Sequence, residues 1–234
     1  MPNTFGQNRL LAAFPPDILA GLGDEIRYRT LAQGQVIYEP GAPMETVFFP
    51  QSGLISLTVV VKTGAQIETG TVGREGAVGL HGAIGNRFSF TRATSQIGGV
   101  CAAIRAARLR QLADGAVRDL IGNYLEITGA EAQQLAACNA VHDANSRLCR
   151  WLLQSADRTD SDQLPLTHEF LAQMLGVRRT TVTLLAQALQ STGMIRYSRG
   201  KIVLRDRDRL AAAACECYHA MHHRKLALTL GISL

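Results

Sequence analysis

The chain has 234 residues, of which 47% are hydrophobic, and it carries a net charge of +5. That length suits one large domain or two small ones, and no apolar run approaches the ~18 residues that a membrane span needs. The N-terminus lacks the basic segment and apolar core of a secretory signal. The five scattered cysteines favour a reducing cytoplasm over a disulfide framework.

The charge is unevenly distributed along the chain. Residues 1–139 carry 11 Lys and Arg and 11 Asp and Glu, whereas residues 140–234 carry 13 and 8. A neutral front half and a basic back half predict that only the back half meets a polyanion. Charge alone does not distinguish a nucleic acid from an acidic membrane surface.

The front half reads as short strands after a brief helical opening. Residues 8–22 are helical in pattern and are interrupted by Pro15-Pro16, and a β-rich region extends from about residue 26 to residue 104. Turn clusters such as "EPGAP", "PQSG" and "KTG" separate the predicted strands. The clearest predicted strands are residues 36–38, 46–49, 54–62 and 66–71. Many short strands at this spacing predict a closed or two-sheet β-barrel that encloses a packed core or a small-ligand cavity.

A long helix is predicted from about residue 106, because the sequence contains no proline and has apolar residues three and four apart. Gly115, Gly122, Gly129 and Ala136 recur every seven residues. A mid-helix glycine costs roughly 1 kcal/mol relative to alanine, and close approach of a second helix would explain three of them. The alternatives are that the helix packs against the chain's own β-domain, or that the glycines are simply tolerated. The predicted dimer seam consists of Val117, Ile121, Tyr124, Thr128, Leu135 and Cys138.

A second helix follows over residues 141–158, with Leu148, Trp151, Leu152 and Leu153 on its buried side. The polar connector "TDSDQLP" ends it.

The stretch "LTHEFLAQMLGVRRTTVTLLAQALQSTGMI" has the pattern of a helix-turn-helix. Thr167 is positioned to cap the first helix, and Gly176 allows a sharp turn. The second helix is predicted to begin near Arg178. Its predicted buried positions are Val182, Leu185, Ala186 and Leu189.

The outer N-terminal face of the second helix carries two arginines and three threonines. In a helix-turn-helix these positions enter the major groove, where arginine pairs with guanine and threonine contacts a base or a thymine methyl. A merely solvated helix start fits poorly with this core spacing, glycine turn and cationic cluster. The predicted DNA-reading residues are Arg178, Arg179, Thr180, Thr181 and Thr183.

A β-hairpin is predicted directly after the second helix. Strands at residues 195–197 and 201–204 flank the turn "SRG". This wing would bring Arg199 and Lys201 to a phosphate backbone, which adds affinity and salt dependence without sequence information.

A β-roll containing "GQVIYEPGAP" and "VFFPQSGLISL", a long helix and a winged helix-turn-helix follow one another in this chain. This order resembles the Crp/Fnr family of bacterial transcription regulators over nearly the full length. The resemblance implies an α+β fold with a jelly-roll-like sensor domain of the cyclic-nucleotide-binding-domain type in residues 1–112. It also implies a dimerisation helix in residues 113–139, and a winged helix-turn-helix with a helical tail in residues 140–234.

The same resemblance implies a cytoplasmic, non-enzymatic homodimer that binds near-palindromic double-stranded DNA and senses a signal in its β-roll. RNA polymerase is a further candidate partner, and no membrane is expected. Two alternatives stay open: a constitutive DNA binder with a ligand-free β-roll, and a thiol- or metal-responsive sensor. An enzyme is the weakest alternative because no nucleophile–base–acid set stands out.

The effector of the β-roll is not identified by the resemblance. Cyclic-nucleotide-binding members hold the ribose with a Gly-Glu pair and the phosphate with an Arg-Ser/Thr-Ala run. Here Leu80 follows Gly79, and Thr94 stands at the alanine position of "TRAT". Cyclic AMP is therefore not expected, and a small-molecule effector of unknown identity remains the hypothesis. The candidate effector-binding residues are Arg74, Glu75, Gly79, Leu80, Arg92 and Thr94.

Other sensing chemistries have weaker signals. Cys101 alone in the front half excludes an iron–sulfur cluster with its ligands there. His81 offers a haem ligand, but a lone histidine is more often structural or solvated. In the tail, thiols and imidazoles are candidates for metal or redox chemistry, although the spacing lacks the two-pair pattern of structural zinc sites. These tail candidates are Cys215, Cys217, His219 and His222, and a fortuitous cluster is the favoured interpretation.

Overall fold

The structure, a computed structural model, describes residues 7–62, 64–85 and 87–221. The chain forms two units. Unit 1 comprises Met1–Val59 and Thr71–Glu126, and unit 2 comprises Val60–Gly70 and Ile127–Leu234. Within the described ranges, no helix is both long enough and apolar enough to cross a membrane.

Antiparallel strands form the body of unit 1, as the turn-rich sequence predicts. They lie in two sheets, ordered β1-β7-β3 and β2-β6-β4-β5. Within the first sheet β7 pairs with both neighbours, through Tyr28↔Ala102 and Phe49↔Ala102. The strands are β1 Arg27–Leu31, β2 Val36–Tyr38, β3 Thr46–Pro50, β4 Leu54–Val60, β5 Gln66–Val72, β6 Arg92–Ile97 and β7 Gly99–Arg105.

The described residues of unit 1 also form four short α-helices, α1 Arg9–Ala12, α2 Pro16–Leu22, α3 His81–Ile84 and α4 Ala106–Leu112, and a 3₁₀ helix at Gly23–Glu25. Asn8 joins the first of them to the β-roll. Its side chain is fully buried, accepts from Leu11 N at 2.9 Å, and donates to Pro50 O at 2.9 Å and Gly76 O at 2.8 Å. Buried amides are stable only when hydrogen-bonded in this way. The helical opening is therefore a fixed part of unit 1.

The long helix, α5, is a single element of 27 residues, Gly115–Val141. Its predicted dimer seam is covered by the chain itself, which corrects that interpretation. Val117, Ile121 and Tyr124 belong to the core cluster of unit 1, which also contains Phe49 and Ile104. The hydroxyl of Tyr124 accepts from Ala77 N at 3.3 Å. Apolar periodicity identifies the buried side of a helix but not what buries it.

The remaining seam residues, which belong to unit 2, are also covered. Leu135 is 7% exposed, Cys138 is fully buried against Cys215 and Cys217, and Thr128 is half-buried. The alternative, packing against the chain's own β-domain, is therefore observed for Val117, Ile121 and Tyr124, whereas Cys138 packs within unit 2. The glycine row lies elsewhere on the helix, because a Cβ added at Gly115, Gly122 or Gly129 would meet no described atom within 4 Å.

Unit 2 contains the helical back half and a small sheet ordered β8-β10-β9. Its strands are β8 Gln163–Leu164, β9 Ile195–Ser198 and β10 Lys201–Leu204, and its helices are α6 Ala144–Thr159, α7 His168–Leu175, α8 Arg179–Ser191 and α9 Arg207–Ala213. The four residues predicted on the buried side of α6 are each at most 3% exposed. The polar connector that ends this helix in the sequence contains β8, because Leu164 pairs with Ile202.

Candidate nucleic-acid interface

The turn between α7 and α8 is built as the sequence predicts. Thr167 caps α7 by accepting from Phe170 N at 3.3 Å. The helix ends at Gly176 in the left-handed conformation, with φ 64° and ψ 33°. A Cβ there would meet no described atom within 4 Å, so backbone strain and not crowding favours glycine. Val177 N closes the turn on Ala172 O at 3.0 Å.

The packing of α8 against α7 confirms the predicted core spacing. Val182, Ala186 and Leu189 of α8 are at most 3% exposed, whereas Leu185 is half-buried. On α7, Leu171, Ala172, Met174 and Leu175 are buried. One side of α8 is thus fixed in the domain, and its N-terminal end projects outwards.

The exposed start of α8 is cationic. Arg178, the residue before the helix, and Arg179 and Thr180 are exposed, and Thr181 is half-buried. Arg179 exposes 70% of its side chain, and its Nη1 lies 3.8 Å from Glu169 Oε2. An exposed ion pair of that length contributes little and is easily exchanged for another anion. No side chain of the described residues caps α8, so its first amides and the two arginines together favour a phosphate or a base edge.

Thr183 has a different role from the predicted base contact. Its Oγ1 lies 3.1 Å from Arg179 O and 3.0 Å from His168 Nδ1, and the residue is half-buried. A hydroxyl held by two groups of its own chain has little freedom to bind a base. Thr183 therefore positions α8 against α7.

His168 is the centre of this positioning contact, a role that was not predicted from the sequence. Its ring stacks on Tyr197 of β9, with centroids 4.2 Å apart and planes inclined by 22°. Burial lowers the pKa of His168, and the nearby Arg179 lowers it further, so the neutral imidazole is favoured. Tyr197 N also donates to Gln190 Oε1 of α8 at 2.7 Å. These contacts hold α7, α8 and the wing together.

The wing is a tight hairpin with a two-residue turn. Ser198 pairs with Lys201, and the turn residues Arg199 and Gly200 have φ values of 48° and 75°. Positive φ at both positions is the type I′ geometry whose twist matches a β-hairpin. Arg199 and Lys201 are exposed, as a phosphate-contacting wing requires.

A second feature missed from the sequence is an apolar side chain on the outer face of α8. Leu184 is 67% exposed and lies four residues after Thr180, on the same side of the helix. Gln187, three residues further on, is exposed as well. The spacing of four residues from Thr180 was the signal in the sequence that could have identified Leu184.

The effector-binding candidates that follow β5 already form hydrogen bonds or core contacts within unit 1. Arg74 Nε donates to Gln7 O at 2.8 Å, and Glu75 Oε1 accepts from Gly73 N at 3.2 Å. Gly79 has φ 91°, and a Cβ there would lie 2.6 Å from Thr46 O, so only glycine fits. Leu80 is 1% exposed within the core cluster of unit 1. This corrects its assignment as a ligand-facing residue, because its side chain fills the core.

The candidates on β6 lie in the second sheet. Arg92 Nε forms an ion pair with Glu39 Oε2 at 2.9 Å, and Thr94 pairs across the sheet with Val36 and Ser56. Arg92 thus already has an anionic partner where a cyclic phosphate would have to bind.

The tail candidates are only partly brought together. Cys215 and Cys217 are buried and lie beside Cys138 and His142. His219 is exposed and packs edge-on against Tyr218, with ring centroids 5.0 Å apart, so it does not join them. His222 lies outside the described residues.

Two family models match the chain, the cyclic nucleotide-binding domain over residues 28–115 and the Crp-like helix-turn-helix domain over residues 146–213. A comparison with curated proteins found no significant match.

Several solved structures share the fold. FixK2 from Bradyrhizobium japonicum has a TM-score of 0.70 at 18% identity, covering 81% of this chain and 98% of that one. The c-di-GMP responsive regulator CLP from Xanthomonas campestris has a TM-score of 0.63 at 19% identity, covering 81% and 99%. The CRP/FNR-family regulator TTHA1359 from Thermus thermophilus has a TM-score of 0.65 at 24% identity, covering 80% and 98%.

Proposed function

The chain belongs to the Crp/Fnr family of DNA-binding transcription regulators, and we propose that it acts as a homodimer that reads one near-palindromic DNA sequence. It binds this DNA in the cytoplasm. An effector bound in the β-roll sets the spacing between the two α8 helices of the dimer. The observation that carries this proposal is the exposed, uncapped and cationic start of α8.

Base reading is assigned to the residues that α8 leaves exposed at its start. Arg179 is the main base-reading residue, because its ion pair with Glu169 is long, lies at the surface and is exchangeable. Arg178, Thr180 and Thr181 enter the groove beside it. Leu184 extends this surface by one turn and is suited to contact a thymine methyl.

The support for this surface comes from behind the helix. Thr183 holds α8 through its contact with His168 of α7, so the exposed residues keep a fixed orientation.

The wing supplies the electrostatic part of the affinity. Arg199 and Lys201 stand at the tip of a rigid two-residue turn and contact phosphates there. Such contacts strengthen binding to every DNA sequence alike.

Dimerisation is assigned to the glycine row of α5 and not to the covered apolar seam. Gly115, Gly122 and Gly129 have open space where a Cβ would be, and Ala136 continues the seven-residue repeat on an exposed position. Small residues at this spacing allow two helix backbones to approach closely. The known DNA geometry of the helix-turn-helix requires such a dimer, because each copy reads one half-site.

The β-roll is assigned a signal other than cyclic AMP. Leu80 occupies core space where a ribose-binding carboxylate would stand, and Arg92 is paired with Glu39. The alternative function, a constitutive DNA binder with a ligand-free β-roll, is distinguished by native mass spectrometry of protein isolated from its own cells. A retained small molecule excludes the constitutive binder, whereas a bare chain that binds DNA tightly supports it. Thermal stabilisation by added cyclic AMP would contradict our assignment.

The DNA-reading proposal is tested by selecting bound duplexes from a random-sequence pool. We expect two inverted half-sites to be enriched. The Arg179→Ala chain should lose its preference at one base position in each half-site. Enrichment of no sequence would contradict sequence-specific reading, and an unchanged consensus would remove Arg179 from its assigned role.

A further inference from the structure

Four metal-binding side chains converge in unit 2, although they come from two distant parts of the chain. Cys138 lies in the last turn of α5, His142 lies just after it, and Cys215 and Cys217 follow α9. Their three Sγ atoms and one imidazole nitrogen all lie within 4.8 Å of one another. We propose that Cys138, His142, Cys215 and Cys217 bind one zinc ion in a tetrahedral Cys₃His site.

Two of the six distances between the proposed ligand atoms already match a tetrahedral site, and the other four are at most 4.8 Å. Zinc binds sulfur at about 2.3 Å and imidazole nitrogen at about 2.0–2.1 Å, so neighbouring ligand atoms lie roughly 3.5–3.8 Å apart. Cys138 Sγ lies 3.5 Å from Cys215 Sγ, and Cys217 Sγ lies 3.7 Å from His142 Nδ1. Both separations already fit an ion bound between the four atoms.

The local backbone explains why these residues face one another. His142 N donates to Cys138 O at 3.1 Å, so the helical turn continues past the end of α5 and places the two side chains on one side. Tyr218 N donates to Cys215 O at 3.0 Å. This turn brings Cys215 and Cys217 together although one residue separates them.

The groups around the four ligands are those that a metal site requires. His142 Nε2 lies 3.0 Å from Glu216 Oε1, so the carboxylate orients the ring and leaves Nδ1 directed at the thiols. Gln134 Nε2 donates to Cys217 Sγ at 3.2 Å. A zinc ion with three thiolates carries one net negative charge. Burial raises the pKa of the Cys138 and Cys215 thiols, and the nearby buried Arg150 opposes that shift, so its positive charge would partly compensate the charge of the site.

A disulfide between Cys138 and Cys215 is the competing explanation. Both thiols are free and buried, and the sulfurs would have to close from 3.5 Å to about 2.05 Å. That bond would involve neither Cys217 nor His142, and it would not explain the contact between His142 and Glu216. Zinc uses all four groups, and it joins the segment after α9 to the end of α5.

The test uses the full-length chain, purified under reducing conditions without added chelator. We expect elemental analysis to find one zinc ion per chain. Replacement by Co²⁺ should give intense visible bands of tetrahedral cobalt and a thiolate-to-cobalt band in the near ultraviolet. Cys217→Ala and His142→Ala should each weaken metal binding by at least about tenfold. Cys149→Ala is the matched control, because Cys149 is a buried cysteine of α6 outside the four, and it should retain the metal.

Three outcomes would overturn the proposal. One is a wild-type chain that holds no metal and gives no cobalt bands although its thiols titrate as free. The second is a Cys138–Cys215 disulfide found by peptide mapping of the unreduced protein. The third is equal loss of metal in Cys149→Ala and Cys217→Ala. If the ligand variants do not fold, the cobalt spectrum of the wild-type chain decides the question without them.

Discussion

The helices α5 and α8 both bury an apolar side in the chain and expose the other, but the exposed sides differ in chemistry. α8 exposes Arg179 and Thr180 beside the preceding Arg178, at an uncapped N-terminus. α5 carries a row that includes Gly122, Gly129 and Ala136, with open space above the glycines. A cationic helix start suits a polyanion, whereas a row of small residues suits a second helix.

In both helices the buried apolar side holds the helix in the chain, and the exposed side is available to a partner. Substitutions on the buried sides should change folding, and substitutions on the exposed sides should change binding. Substitutions can test this separation, and the largest effect is expected on the buried side of α5.

Ile121→Ala should lower the free energy of unfolding by about 2–5 kcal/mol, because it opens a cavity in the core of unit 1. Chemical denaturation with a tryptophan or circular-dichroism signal measures the loss. If Ile121 were instead part of a dimer seam, the variant would keep its fold and lose only self-association, and our account of α5 would fail.

Arg179→Ala should weaken binding to the selected DNA sequence by about 1–3 kcal/mol, and it should relax the preference at one base position. Fluorescence anisotropy at fixed salt measures both effects. Arg87→Ala is the control, since Arg87 is an exposed arginine of unit 1, and its affinity should match that of the wild type. Equal losses in the two variants would reduce the role of Arg179 to net charge.

Gly129→Leu should raise the dissociation constant of the dimer at least about tenfold, which corresponds to ~1.4 kcal/mol. A Cβ at this position meets no described atom within 4 Å, so the chain should tolerate the leucine, which should strengthen the helix by roughly 1 kcal/mol. Sedimentation and thermal unfolding measure the two effects on one sample. Ala212→Leu, at an exposed position of α9, should leave the dimer intact. An unchanged dimer in Gly129→Leu would place the interface elsewhere.

Lys201→Ala should weaken binding to specific and nonspecific duplexes alike, and it should reduce the slope of log affinity against log salt by about 1. A salt titration of binding measures this slope. A change in the selected consensus would contradict a phosphate-contacting role for the wing.

The smallest effect is expected at His168, whose contact with Thr183 holds α8 against α7. Because the pKa of His168 is lowered in the folded chain, its stabilisation is complete above the ordinary value of about 6.5 and is lost as the pH falls below it. His168→Gln should flatten the fall in stability as the pH drops below about 6.5. His219→Gln, at an exposed histidine, should not. A profile unchanged by His168→Gln would remove this histidine from the acid sensitivity.

Local patterns were enough to predict β2, β3, β4 and β5 of the β-roll, both helices of the helix-turn-helix and the wing. Each of these depends on turn residues and short periodicity, such as Gly176 between α7 and α8. β8 could not be predicted, because its two residues become a strand only by pairing with β10. The same limit explains the metal-binding cluster, since Cys138 and Cys215 lie 77 residues apart and only the fold brings them together.

The predicted dimer seam of α5 shows a different limit of sequence-based prediction. Its periodicity was recognised, but a helix buried by its own chain and one buried by a partner have the same pattern. The role of Thr183 was also hidden, because it depends on His168 of the preceding helix.

The most direct test of the central claim is the stoichiometry and symmetry of the DNA complex, measured by native mass spectrometry on a duplex from the selection. We predict two chains per duplex, with half-site centres separated by about one helical turn of 10–10.5 base pairs or a multiple of it. A single chain per duplex, or one unpaired site in the footprint, would contradict a dimer that presents two α8 helices to DNA.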